Sequence, residues 1–109
     1  MNLDIQVSEH ENKNVAQVSG EVDVYTATKL KETLTPLAEQ EDKELVVDLS
    51  GVDYIDSTGL GIFIGALKAS EKSGTSLTLT GLNSRVKRLF EITGLHEVID
   101  IDSTKREEA

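Results

Sequence analysis

The stretch from Leu45 to Ser73 restricts the fold more than any other part of the chain. It opens with Leu45-Val46-Val47-Asp48-Leu49, a short and nearly continuous apolar run of the kind that marks a central strand covered on both faces. A loop is expected from Ser50 to Asp56 and a helix from Ser57 to Ser73. Between strand and helix lies the polar junction Asp56-Ser57-Thr58-Gly59-Leu60-Gly61. Ser57 falls where the helix begins, so its hydroxyl lies among backbone N–H groups that have no intrahelical partner. Such a position stabilises negative charge, a phosphate included. Ser57 is therefore either an ordinary N-cap or a phosphorylation switch, and its position alone fits both.

The flanking segments complete an α/β pattern. Leu3, Ile5 and Val7 alternate with polar residues as in a half-buried strand, and Val15 to Ser19 pairs back on it after the polar turn Glu9 to Asn14. Gly20-Glu21-Val22-Asp23 breaks the pattern. Ala27, Leu30, Leu34, Leu37 and Ala38 then follow helical spacing between Thr26 and Gln40. Pro36 removes a bond to the Glu32 carbonyl and predicts a kink or break. Leu77-Thr78-Leu79 reads as a strand, Asn83 as the cap of a short helix that Gly94 ends, and Val98 to Ile101 as a last extended segment. Residues 103–109 are expected to be a frayed tail or a terminal helix turn. The sum is an α/β sandwich: a mixed sheet of about four to five strands, with about four helices mainly on one face. The 109 residues fit a single domain. Strand-to-helix connections should share one sheet edge, which places Ser57 beside the loop at Asp23.

Composition narrows the functional classes. With no cysteine, disulfides, thiolate chemistry and cysteine-ligated metals are excluded. The apolar stretch around Leu60 to Ala69 is too short and too glycine-interrupted to span a bilayer, and no signal peptide precedes the first strand, so no membrane association and a cytoplasmic location are expected. The net charge of −9, from 20 acidic and 11 basic residues, opposes direct contact with nucleic acid. It either keeps the protein in solution or steers it to a basic partner.

Catalytic constellations are weak. The serine lacks the first glycine of a nucleophile elbow: Ile55 stands two positions before it, although Gly59 stands two after. Neither His10 nor His96 stands in a context that marks a general base. Asp48, Asp53 and Asp56 lack the paired carboxylates and later lysine of a receiver-type magnesium pocket, and read as solvated loop residues, with Asp56 also placed to help cap the helix beside Ser57. Gly59-Leu60-Gly61 belongs to no complete phosphate-binding loop. These glycines are better explained as clearance for another surface at the helix start. The helix is apolar around most of its first turns, so either neighbouring helices bury it or a surface near Gly61 and Ile62 serves a partner. No metal and no cofactor are expected. The competing reading is a small nucleotide-binding or NTP-hydrolysing domain.

Four blocks, in order and spread from Gly20 to Leu95, carry a family resemblance. They are Gly20-Glu21-Val22-Asp23-Val24-Tyr25-Thr26-Ala27, Val46-Val47-Asp48-Leu49-Ser50, Tyr54-Ile55-Asp56-Ser57-Thr58-Gly59-Leu60-Gly61 and Arg88-Leu89-Phe90-Glu91-Ile92-Thr93-Gly94-Leu95. Together they resemble the bacterial anti-sigma factor antagonists of the STAS domain family, and Asp23 to Ala27 resembles the general-stress type. Thr28 stands where many relatives carry proline. The resemblance implies a STAS-type sandwich and a regulatory protein that is not an enzyme. In such a mechanism the unmodified antagonist binds an anti-sigma factor that is also a serine kinase, and so frees the sigma factor for transcription. Phosphorylation of Ser57 switches binding off, and a serine phosphatase reverses it. The resemblance also implies that Asp23 contacts the kinase; from their places at the helix start, Asp56, Thr58, Gly59, Gly61 and Ile62 are expected to complete the partner-binding surface, with Thr58 a neighbouring hydroxyl.

Overall fold

The structure is a computed structural model that describes residues 2–102. Strands β1 (Leu3–Glu9) and β2 (Lys13–Val22) form an antiparallel hairpin in which Leu3 faces Gly20 and Glu9 faces Asn14. The chain continues through α1 (Ala27–Ala38), β3 (Glu44–Ile55), α2 (Ser57–Ser73), β4 (Leu77–Thr80) and α3 (Ser84–Ile92). A 3-10 turn (Leu95–Glu97) leads into β5 (Asp100–Asp102). The sheet order is β1-β2-β3-β4-β5, with β2 to β5 mutually parallel.

This order dictates where the helices go. Each crossover steps in the same direction across the sheet, and right-handed connections then place every helix on the same face. One hydrophobic core results: Ala16, Val18, Leu45, Val47, Leu49 and Leu79 from the strands lie under Leu30 and Leu34 of α1, Phe63 of α2 and Phe90 of α3. The Phe63 and Phe90 rings meet edge-on at 5.9 Å and join α2 to α3. The expected α/β sandwich with a mixed sheet is present, although β3 is not covered on both faces. Val46 is only half-buried, Ser50 is exposed, and Asp48 and Ser50 line an open polar surface with Gln6 and Gln17. Val46 makes the run look uniformly apolar, and Asp48 is its one sign of a second, polar face.

Several boundaries differ for identifiable reasons. The segment Ser50 to Asp56 is not a loop: β3 runs on to Ile55, paired with β2 through Val22, with register shifts between Gln17 and Ser19 and between Gly20 and Glu21. These irregularities hide the strand from any test of alternation. They also carry β2 past the expected break at Gly20. Pro36 does not break α1, which continues to Ala38. Only Leu37 and Ala38 follow the proline in the helix, so its lost bond and any bend at its ring displace little. Among the described residues there are three α-helices and a 3-10 turn rather than about four helices, and the last strand starts at Asp100, not Val98. The expectation of a tail at 103–109 lies outside the described residues.

The α2 helix has the predicted bounds. Gly74 ends it with φ 73°, a left-handed conformation that costs glycine little. Asn83 caps α3 through Oδ1, which accepts from the Val86 amide at 2.8 Å. No helix of the described residues is long and apolar enough to cross a membrane.

Candidate functional site

The parallel pair β2–β3 overhangs the rest of the sheet. β4 stops opposite Asp48 at Thr80, whereas β3 continues beside β2 until Ile55 lies opposite Val22. Both strands then turn into helices at the same end, and the Asp56 amide donates to the Val22 carbonyl at 3.1 Å. The junctions Asp23–Thr26 and Asp56–Ser57 are thereby held side by side, as the connectivity predicted.

The Ser57 junction differs from expectation by one residue. Asp56, not Ser57, is the N-cap of α2: its extended backbone precedes the helix, and Oδ1 accepts from the Gly59 amide at 3.0 Å. Ser57 is the first helical residue and is exposed. A serine used as a cap would turn its hydroxyl inward onto the helix amides. Here the carboxylate takes that task and frees the hydroxyl. The amides of Ser57 and Thr58 still lie at the positive end of the helix without intrahelical partners. Asp56→Ala removes the cap and should lower stability by about 1 kcal/mol, whereas Asp56→Asn keeps an acceptor and should cost less; thermal melts of the two variants check this.

The remaining predicted residues divide sharply. Thr58 and Gly61 are exposed and Ile62 is half-buried, so these three share the outer surface with Ser57. Gly61 and Ile62 also line a groove of about 270 Å³ between α1 and α2, together with Lys31, Thr35, Gly65 and Ala66. Gly59 is different. A Cβ there would lie 2.5 Å from Val22 Cγ1 and 3.0 Å from Ile55 Cγ2, so this glycine gives clearance to the protein's own core. At Gly61 a Cβ would meet nothing within 4 Å, so of the two glycines only this one borders open space.

Asp23 has a different task from the direct contact expected of it. It is 4% exposed, and its Oδ1 accepts from the amides of Tyr25 at 2.9 Å and Thr26 at 3.1 Å. Thr26 answers: its Oγ1 accepts from the Asp23 amide at 3.0 Å and donates to the Glu21 carbonyl at 2.8 Å. This reciprocal lock shapes the turn into α1, and it displays Val24 and Tyr25, which are 60% and 82% exposed. Neither is among the site residues expected from sequence. The available signal was an apolar–aromatic pair standing between a strand and a helix, off the buried stripe of either.

A sheet whose strands run in sequential order has no reversal point, and so lacks the crevice in which open α/β sheets hold nucleotides. Among the described residues no group of three or more His, Asp or Glu side chains is arranged to hold a metal ion.

One-sided mixed sheet, helices in a single layer and an exposed serine at the start of α2 define a small α/β regulatory domain of the STAS class. The chain belongs to the STAS domain family, whose model matches residues 4–108. It is 48% identical over 103 residues to the anti-sigma-B factor antagonist of Bacillus subtilis, covering 94% of each chain. The crystal structure of an anti-sigma factor antagonist from Mycobacterium paratuberculosis superposes with a TM-score of 0.78 at 27% identity, over 97% of this chain and 90% of that one. SpoIIAA shares the fold in its unphosphorylated form, with a TM-score of 0.76 at 16% identity over 95% and 92% of the chains. As the phosphorylated Bacillus cell fate determinant it gives a TM-score of 0.70 at 15% identity over 95% and 96%.

Proposed function

We propose that this chain is an anti-sigma factor antagonist that works by partner switching, with Ser57 as its phosphorylation site. Unmodified, it binds an anti-sigma factor of the serine kinase type and releases the sigma factor for transcription in a stress response. Phosphate on Ser57 ends the binding, and a serine phosphatase restores it. The cycle runs in the cytoplasm, and this chain supplies no catalysis. The observation that carries the reading is the exposed Ser57 hydroxyl at the first position of α2, freed from capping by Asp56. The 48% identity to an anti-sigma-B factor antagonist supports it.

A kinase brings its own nucleotide, magnesium and catalytic groups. Its substrate need only offer an ordered, accessible hydroxyl. Phosphate adds about −1.5 to −2 charge at a helix end that favours anions, so the switch acts at the interface and leaves the fold in place. Asp56 beside it offsets part of that favourable field.

The test mixes the chain with the purified anti-sigma factor kinase of its source organism and ATP, then follows intact mass and complex formation. Modification of the parent, none of Ser57→Ala, and dissociation that tracks modification are the expected results. Tight binding of ATP or GTP by the isolated chain in a calorimetric titration would instead favour a nucleotide-binding domain.

A further inference from the structure

The chain has four aromatic side chains, and the fold sorts them into two groups. Both phenylalanines, Phe63 and Phe90, are fully buried. Both tyrosines, Tyr25 and Tyr54, are exposed and belong to the overhanging end of β2–β3 that also carries Ser57. Tyr54 is the penultimate residue of β3 and pairs with Glu21; Tyr25 follows the end of β2 by three positions. Val24 adds a further exposed apolar side chain to the same loop.

Resting on the functional reading above, we infer that Tyr25, with Val24 beside it, is the anchor by which the anti-sigma factor kinase docks on this chain before Ser57 is phosphorylated. Tyrosine gives a large contact area at low entropic cost and is enriched among the residues that dominate interface energies. An aromatic side chain left 82% exposed gains most from burial in a partner's pocket. Continuity fixes the occupant: the Asp56 amide bonds to the Val22 carbonyl, so a partner that reaches Ser57 meets the Val24–Tyr25 loop on the adjoining strand end. The loop is also pre-shaped. Asp23 accepts from the Tyr25 amide, and buried bonds between Asp23 and Thr26 hold the carboxylate in place, which spares the partner the entropy of ordering the loop. Asp23 and Thr26 are thus positioning residues, and Tyr25 is the contact.

Kinetics with the purified kinase separate docking from acceptor chemistry. Tyr25→Ala should raise KM for Ser57 phosphorylation, and weaken the unphosphorylated complex, by about tenfold or more. Its kcat and melting temperature should stay near the parent's. Thr26→Val, a change at a buried position, should raise KM in the same direction, and Thr26→Ser should restore it because the hydroxyl returns. If Thr26→Val does not fold, Asp23→Asn replaces it: this variant keeps Oδ1 as an acceptor, and a near-parent KM shows that position rather than charge matters. Equal KM and affinity for Tyr25→Ala and a normally phosphorylated parent would overturn this inference alone. A parent that the kinase neither binds nor modifies would overturn the functional reading and the docking site with it.

Discussion

Ser57→Asp is expected to bind the anti-sigma factor kinase about a hundredfold more weakly than the parent, a difference of about 2.8 kcal/mol, while melting at nearly the same temperature. The two halves of this result have separate causes. Within the free chain the new carboxylate stands at the first position of α2, where the helix dipole favours negative charge by about 0.3–1 kcal/mol. Asp56 already occupies the Gly59 amide at 3.0 Å, so like-charge repulsion cancels much of that gain. At the interface nothing cancels. A charge closed in against a surface shaped for a hydroxyl loses water without gaining a partner, at a cost of several kcal/mol. Ser57→Ala should do the opposite in function, staying bound because the kinase cannot modify it. Calorimetric titration and thermal melts measure both properties. A Ser57→Asp chain that binds like the parent, or that unfolds, would remove the electrostatic account of the switch.

Local pattern and long-range pairing explain which features could be read from the chain. The α2 helix was legible at both ends, because an abrupt change of period starts it and Gly74 stops it. The cap of α3 at Asn83 was legible for the same reason: its bond to the Val86 amide spans three residues. The last third of β3 was not, since Gly51, Asp53 and Tyr54 follow no alternation. Only pairing with β2, whose residues lie more than thirty positions earlier, makes them a strand. The site shows the same division. Ser57 could be placed at the helix start from sequence, but Asp56 and Ser57 are equally good caps by type, and geometry alone assigned the cap to Asp56. Asp23 carries the marks of a surface residue in every compositional sense. Its burial follows from Thr26 and the Tyr25 amide closing over the carboxylate. Tyr25 is exposed for the same reason, since the lock that buries Asp23 turns its neighbour outward.

The two glycines of the Ser57 junction should respond to alanine with opposite signs. Gly59→Ala is expected to lower stability by about 1–3 kcal/mol, the usual cost of forcing an extra carbon into a filled core. Its Cβ would sit 2.5 Å from Val22 Cγ1, and a β-branched valine in a strand has little rotamer freedom with which to yield. Because Val22 ends β2 and Ile55 ends β3, the strain would fall on the overhang that holds Asp23 and Ser57 together. Gly61→Ala is expected to raise stability, by up to about 1 kcal/mol, since alanine is the better helix former and its Cβ meets nothing within 4 Å. On the proposed binding surface beside Ser57, the same methyl would occupy space open to the partner. Gly61→Ala should therefore bind the anti-sigma factor kinase more weakly while melting higher, a combination that no loss of folding can produce. Chemical denaturation of both variants, with kinase titration of Gly61→Ala, decides the matter. A stabilised Gly61→Ala chain with parental affinity would place the partner elsewhere than over this turn of α2.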